Sequence, residues 1–136
     1  MPTPQGGRIG RQKQRLTLFG EWVYFLCAYL DVPSPELERR MGIAHGMLSK
    51  NTRTGKGTNL PSQILVTRIW NMFTEIANEK RIPLADIEQE FFHSAKFATQ
   101  SDVQRSEETL EVWRRRTHLE WAHTPDPDTP GTMPNS

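Results

Sequence analysis

The stretch ERRMGIAHGMLSKNTRTGKG, from Glu38 to Gly57, contains a helical pattern that stops and then starts again. Leu37 and Met41 lie four residues apart, as the buried side of a short helix requires. Gly42 follows and can adopt the left-handed backbone that ends a helix without Cβ strain. Beyond it the pattern predicts a second short helix, and the glycines and cations of residues 52–59 predict a loop.

Two short helices joined by a tight turn that contains glycine are typical of a helix-turn-helix unit. In such a unit the first helix braces the second, whose outward side enters the major groove of DNA. We expect the first helix at residues 35–41, capped by Ser34, and the second at residues 45–51. Ile43 and Leu48 are expected to anchor the second helix to the core.

Charge is segregated along the 136 residues, although the net charge is only +1. Residues 1–20 carry four cations and no acid, and residues 39–74 carry six cations and no acid. By contrast, residues 21–38 sum to −4 and residues 83–136 to −5. Because acids are repelled by phosphates, the two acid-free windows indicate a polyanionic partner. The alternative is that these cations only keep loops soluble.

Apolar spacing predicts the other helices. A stripe that includes Phe19 and Trp22 predicts the first helix of the chain. The longest regular stripe follows the basic loop, and the last helix has a weaker stripe. The predicted ranges are residues 18–30, about 61–78, a helix that holds Leu84, Ile87 and Phe91, and residues 103–122, with a connection at 94–102.

The segment S34-P-E-L-E-R-R-M-G-I-A-H-G-M-L-S49 resembles the lambda-repressor-like, Cro/repressor-type (XRE) helix-turn-helix family. The resemblance covers about residues 18–94, and it extends to F19-G-E-W before the segment and to L60-P-S-x-I-L and I82-P-L-A-D-I after it. It implies a compact all-α DNA-binding domain whose third helix enters the major groove, often as a dimer on a palindromic operator.

The resemblance also assigns individual positions. The family's turn glycine falls on Gly42 and its buried turn residue on Ile43. The leucine, serine and basic residue of its third helix fall on Leu48, Ser49 and Lys50. Ala44 stands where the family usually has a capping serine or threonine, so a binding mode led by the loop and directed mainly at phosphates stays open.

The sequence thus predicts an all-α fold, a five-helix lambda-repressor-like domain with an additional C-terminal helix and disordered tails. Residues 1–17 are expected to be a basic flexible arm and residues 18–98 the DNA-binding domain. Residues 99–123 are expected to form the C-terminal helix, and the Pro-rich residues 124–136 a disordered tail.

The candidate DNA-binding residues lie in the second helix of the motif, in the loop after it and in the arm. His45, Ser49 and Asn51 are expected to face bases, and Gly46 is a further candidate DNA-binding residue beside them. Lys50, Arg53 and Lys56 are expected on phosphates, with Arg40 and Arg68 as weaker candidates. Arg8, Arg11, Lys13 and Arg15 are expected to follow the backbone or enter a minor groove. For His45 an ordinary exposed histidine is the alternative, and for the arm, a solubilising role.

No pattern in the sequence indicates an enzyme, a cofactor or a metal site. T54-G-K-G-T58 lacks the spacing of a phosphate-binding P-loop. His118 and His123 lie five residues apart and do not share a helical face, and no Cys or acidic cluster completes a metal set with them. The single cysteine, Cys27, lies in an apolar run, which indicates core packing in a reducing compartment. That run, residues 22–30, is too short to span a bilayer, so we expect a cytoplasmic protein without a membrane contact.

The sequence therefore predicts a DNA-binding regulator of transcription whose partner is double-stranded DNA. Residues 103–122 are the candidate surface for a homodimer or for another protein. Two other classes stay open: an adaptor or antitoxin-like module in which DNA binding is secondary, and an accessory protein that binds nucleic acid without reading its sequence. Retention on random duplexes at different salt concentrations distinguishes the three.

Overall fold

A computed structural model describes residues 15–55, 57–58, 60–95 and 99–117. Within these ranges the prediction of an all-α fold is confirmed, because no strand occurs and only Leu16 and Arg53 form an isolated antiparallel bridge. The helices are α1 (Leu18–Tyr29), α2 (Ser34–Met41), α3 (Met47–Asn51), α4 (Gln63–Lys80), α5 (Glu88–His93) and α6 (Gln100–Thr117).

α1 runs through the centre of the core. Its length is almost entirely apolar, so the helix is buried on more than one side. Thr17 caps its start, because the hydroxyl accepts a hydrogen bond from the Gly20 N–H at 3.0 Å. At the other end, the Lys80 ammonium donates to the Leu30 carbonyl at 2.8 Å and thereby ties the end of α4 to the end of α1.

An aromatic cluster centred on Phe91 joins α5 to α1 and α4. The Phe91 ring lies 5.5 Å from that of Phe19, 5.2 Å from that of Trp70 and 6.2 Å from that of Phe73, measured between ring centres. Tilted and edge-on arrangements of this kind are favourable for aromatic pairs. The cluster holds the short helix α5, which could not be stable alone.

α6 closes the core over α1. The indole N–H of Trp22 donates to the Ser106 hydroxyl at 2.8 Å, and Leu110 is buried in the same core. The buried guanidinium of Arg114 pairs with Glu21 on α1 at 2.9 Å. The sequence predicted an external partner for α6. One side of this helix instead packs against α1 of the same domain.

Several helix ends differ from the sequence prediction. α2 begins at Ser34 itself, with Pro33 before it and no side-chain cap, so the predicted capping role of Ser34 is wrong. α3 begins two residues later than predicted, because Gly46 has a left-handed φ of 92° that cannot continue a helix. α5 begins only after Ile87.

α6 begins at Gln100, three residues before its predicted start, because of a local cap. Thr99 and Asp102 form a reciprocal cap, since the Asp102 N–H donates to the Thr99 hydroxyl at 3.2 Å and that hydroxyl donates to the Asp102 carboxylate at 2.9 Å. The hydrogen bond from Thr99 lowers the pKa of Asp102 below its ordinary value. The helix therefore begins at Gln100. The predicted residues 118–122 and both tails, 1–14 and 124–136, lie outside the described ranges.

None of the helices in the described ranges combines enough length with enough apolar character to cross a bilayer.

Candidate nucleic-acid interface

α2 and α3 are joined by one buried carboxylate, that of Glu38. Its Oε2 accepts hydrogen bonds from the backbone N–H groups of Gly46 at 3.0 Å and of Leu48 at 2.9 Å. N–H groups at the start of a helix have no acceptor within that helix, so an acceptor from outside has to satisfy them. The Glu38 side chain is only 6% exposed. By accepting from both amides, this buried carboxylate fixes the start of α3 against α2.

The turn between α2 and α3 has the geometry that the sequence predicted. Gly42 has a φ of 72°, in the left-handed region, and its N–H donates to the Arg39 carbonyl at 3.2 Å. The next N–H, that of Ile43, donates to the Glu38 carbonyl at 3.1 Å, and the Ile43 side chain packs against the core. The predicted roles of Gly42 and Ile43 in the turn are therefore confirmed.

α3 has a buried side and an accessible side. Leu48 lies in the core, whereas Lys50 is exposed. His45, just before the helix, has a side chain that is 83% exposed. Gly46 and Ser49 are partly exposed. Four of the predicted DNA-binding residues are thus accessible around one short helix.

Two further predicted residues, Asn51 and Arg53, are turned into the protein. Asn51 is 7% exposed, and its amide nitrogen donates to the Met47 carbonyl at 2.9 Å. Arg53 is 3% exposed, and its Nη1 donates to the Ser49 hydroxyl at 2.5 Å. Its guanidinium also lies over the Tyr24 ring, 5.5 Å from the ring centre. In this arrangement both side chains stabilise the end of α3 instead of facing solvent.

The two weaker candidates for phosphate contacts, Arg40 and Arg68, connect helices to one another. Arg40 pairs with Glu36 at 3.3 Å and with Glu79 at 3.1 Å, and its hydrogen bond to Glu79 raises the pKa of the guanidinium above its ordinary value. Arg68 donates to the Met41 carbonyl at 2.8 Å, at the end of α2. Both arginines therefore brace α2 against α4.

The N-terminal arm enters the domain beside the segment that follows α3. The Thr17 N–H donates to the Thr52 carbonyl at 2.9 Å, and the Thr54 N–H donates to the Arg15 carbonyl at 2.9 Å. These two hydrogen bonds hold residues 15–17 antiparallel to residues 52–54, so the last residues of the predicted arm lie next to the loop after α3. Four of the predicted contacts, Arg8, Arg11 and Lys13 of the arm and Lys56 of the loop, lie outside the described residues.

Gly20 permits the first turn of α1 to lie in contact with Thr52, at the end of α3. A Cβ atom at position 20 would lie 2.2 Å from the Thr52 carbonyl oxygen, far inside contact distance. Thr52 is fully buried, and its hydroxyl donates to the Leu48 carbonyl at 2.6 Å. The end of α3 is therefore held against the first turn of α1.

Sequence reasoning missed Glu38, Gly20 and Thr52 as residues that shape this surface. For Glu38 a signal existed: it lies three residues before Met41, so helical spacing places it on the buried side of α2. A buried acid requires polar partners nearby. Gly20 and Thr52 gave no such signal, because their contact joins segments that are distant in the sequence.

The exposed side chains at this surface are those of His45 and Lys50. The Ser49 side chain is partly exposed, and its hydroxyl accepts from Arg53. Among the residues described, no three His, Cys, Asp or Glu side chains are placed to hold a metal. Comparison of the chain with known protein families, with curated proteins and with solved structures gives no match.

Proposed function

We propose that the chain is a DNA-binding regulator of transcription in which α2 and α3 act as a helix-turn-helix unit of the lambda-repressor-like, Cro/repressor type (XRE). In this proposal α3 lies in the major groove of double-stranded DNA, and the protein acts in the cytoplasm. The observation that carries the proposal is the contact of the Glu38 carboxylate with the Gly46 and Leu48 amides. A braced helix with an accessible side is what groove binding requires.

The charge of the surface supports the same function. Residues 39–74 contain no acid, and the last acid before them, Glu38, is buried and occupied by amides. The exposed Lys50 ammonium can therefore approach a phosphate without a competing carboxylate from this segment.

The arm adds a second source of positive charge. The hydrogen bonds between residues 15–17 and 52–54 bring the last residues of the arm to the loop after α3. Residues 8–15 carry four cations and no acid. In the proposed complex they follow the backbone next to the groove that α3 occupies, or enter the adjacent minor groove.

A selection experiment tests the proposed function. The full-length protein is incubated with a library of random duplexes, and the retained duplexes are sequenced at two salt concentrations. We expect one preferred site, with retention that falls as salt rises. Lys50→Ala is expected to weaken retention, whereas Arg81→Ala, which removes an exposed cation at the end of α4, serves as the matched control. Failure of every duplex to bind at moderate salt would contradict the proposal.

A second candidate is an accessory protein that binds nucleic acid without reading its sequence. It is favoured by the shortness of α3, which has five residues, and by the inward position of Asn51 and Arg53. The same selection separates the two functions, because this candidate predicts retention with steep salt dependence but no preferred site.

The proposed complex also includes a dimer or a protein partner bound through the outer side of α6. Val112 on that side is 46% exposed, so an apolar side chain is available there for a contact with a partner. Val112→Asp is expected to reduce the solution mass to that of a monomer in sedimentation experiments, whereas Glu108→Asp, on an exposed polar position of the same helix, leaves it unchanged. A monomeric mass for all three proteins would remove the dimer from the proposal, and a dimeric mass for all three would remove Val112 from its interface.

A further inference from the structure

Glu38 contacts a third group besides the two backbone amides, and that group is a side chain that faces solvent. The His45 Nδ1 lies 3.3 Å from the Glu38 Oε1. Glu38 is buried, whereas the His45 side chain is 83% exposed. Nδ1 of the imidazole therefore lies beside a buried carboxylate, while most of the side chain is open to solvent.

This contact has a consequence for the position of the imidazole proton. An ionised carboxylate can only accept hydrogen bonds, so a nitrogen beside it is favoured in its N–H form over its lone-pair form. The neutral imidazole carries a single N–H. With the proton on Nδ1, the exposed Nε2 presents a lone pair, that is, a hydrogen-bond acceptor.

An acceptor distinguishes between bases in the major groove. Adenine presents its N6 amino group there and cytosine its N4 amino group, whereas guanine presents only the acceptors N7 and O6 and thymine presents O4. An Nε2 lone pair can pair with an amino group and is repelled by the guanine acceptors.

We propose that His45 is a specificity-determining residue and Glu38 its positioning residue, so that Nε2 of the neutral ring reads an adenine or a cytosine. This inference rests on the proposed function, because it specifies what the same surface recognises. It gives Glu38 two tasks. The carboxylate sets the start of α3, and it also sets which tautomer of His45 meets the DNA.

The substitution Glu38→Gln separates these two tasks. With its carbonyl in the Oε2 position, glutamine still accepts from the Gly46 and Leu48 amides. Its NH₂ group takes the Oε1 position, where it faces the His45 Nδ1 and gives up only the second, 3.2 Å hydrogen bond from the Gly46 N–H. A donor at that place favours the lone pair on Nδ1 and the proton on Nε2. The exposed nitrogen then becomes a donor, which fits the acceptors of guanine and thymine. A purely structural role of Glu38 would not change the identity of the selected base.

The experiment uses the full-length protein and random duplexes at about pH 8.5, where histidine side chains are ordinarily neutral. We expect one position of the selected site to favour adenine or cytosine by roughly three- to tenfold, the effect of one hydrogen bond. His45→Ala is expected to abolish this preference and to weaken binding of the preferred duplex by the same roughly three- to tenfold factor. Glu38→Gln is expected to move the preference to guanine or thymine.

The outcomes distinguish this inference from the proposed function. A wild-type site whose base preferences are unchanged in His45→Ala, or binding without any preferred site, would overturn the inference while DNA binding stands. Failure of the wild-type protein to retain any duplex would overturn the proposed function instead.

A direct measurement covers the case in which Glu38→Gln does not fold. Nitrogen-15 spectra of the free wild-type protein, with the His45 signals assigned by their loss in His45→Ala, report which ring nitrogen carries the proton. A proton on Nδ1 supports the inference, and a ring protonated mainly on Nε2 overturns it.

Discussion

The Glu38 carboxylate is surrounded by donors from the start of α3, and its removal should be costly. Glu38→Ala leaves the Gly46 and Leu48 amides without this acceptor, so we expect the free energy of unfolding to fall by about 1–3 kcal/mol. Urea denaturation measures the change. Glu36→Ala is the matched control, because it removes an acid of the same helix that makes an exposed ion pair with Arg40 and such pairs contribute little. Equal losses for the two variants would show that the contact with α3 has no special energetic role.

Lys50 and Arg53 lie three residues apart, yet the structure gives them opposite environments. Lys50 is exposed, so Lys50→Ala should leave the free energy of unfolding unchanged. It should reduce the slope of the logarithm of the DNA-binding constant against the logarithm of salt concentration by about one, the effect of one phosphate contact. Arg53 is buried against Ser49 and Tyr24. Arg53→Ala should therefore lower the free energy of unfolding by about 1–3 kcal/mol.

Binding isotherms at several salt concentrations and urea denaturation of both variants make this comparison. The reverse result, in which Arg53→Ala changes only the salt slope, would mean that Arg53 turns outward to meet DNA.

At the scale of elements, the contact between α1 and α6 depends on a hydrogen bond between distant residues. The Trp22 indole donates to the Ser106 hydroxyl, and that hydroxyl donates to the Glu90 carbonyl at 2.5 Å. A double-mutant cycle with Trp22→Phe and Ser106→Ala isolates the first bond from the second. We expect a coupling energy of about 0.5–1.5 kcal/mol, measured by thermal or urea unfolding. A coupling energy of zero would indicate that α6 is not docked on α1 in solution.

The sequence predicted the long helices better than the short ones. α1 and α4 lie within two residues of their predicted ends, because regular apolar spacing over many residues constrains both. The start of α3 was missed because it depends on the backbone of Gly46, and glycine is compatible with both helical and left-handed conformations. Short helices have too few apolar positions for spacing to fix their ends.

The exposure of the candidate residues was predicted in part for a related reason. Their place in the motif indicated His45 and Lys50, and the structure leaves both exposed. It also suggested Asn51 and Arg53, which the structure buries. Residue type shows what a side chain could bind, but its direction depends on partners such as Tyr24 that lie elsewhere in the sequence.

At the scale of the whole molecule, α6 is a part of the core that the other helices need. Trp113 on α6 covers aromatic side chains of α1, with ring centres 6.2 Å from Phe25 and 5.5 Å from Tyr29. Deletion of residues 99–136 would expose these rings as well as Trp22. For this reason a truncated chain is a poor test of oligomeric state, and a surface substitution such as Val112→Asp is the cleaner one.

The same deletion is expected to change the rate at which Cys27 reacts with an alkylating reagent. Burial raises the pKa of the Cys27 thiol, so in the folded protein the thiol stays protonated and shielded at neutral and mildly alkaline pH. An alkylating reagent should therefore label the full-length chain slowly, at the rate at which the core opens. In the chain truncated after residue 98, we expect a lower melting temperature and much faster labelling, because the core opens more often. Since Cys27 is the single cysteine, Cys27→Ala gives the background. Identical melting and labelling in the two chains would mean that α1 keeps its burial without α6, which contradicts the packing of Trp22, Phe25 and Tyr29 against that helix.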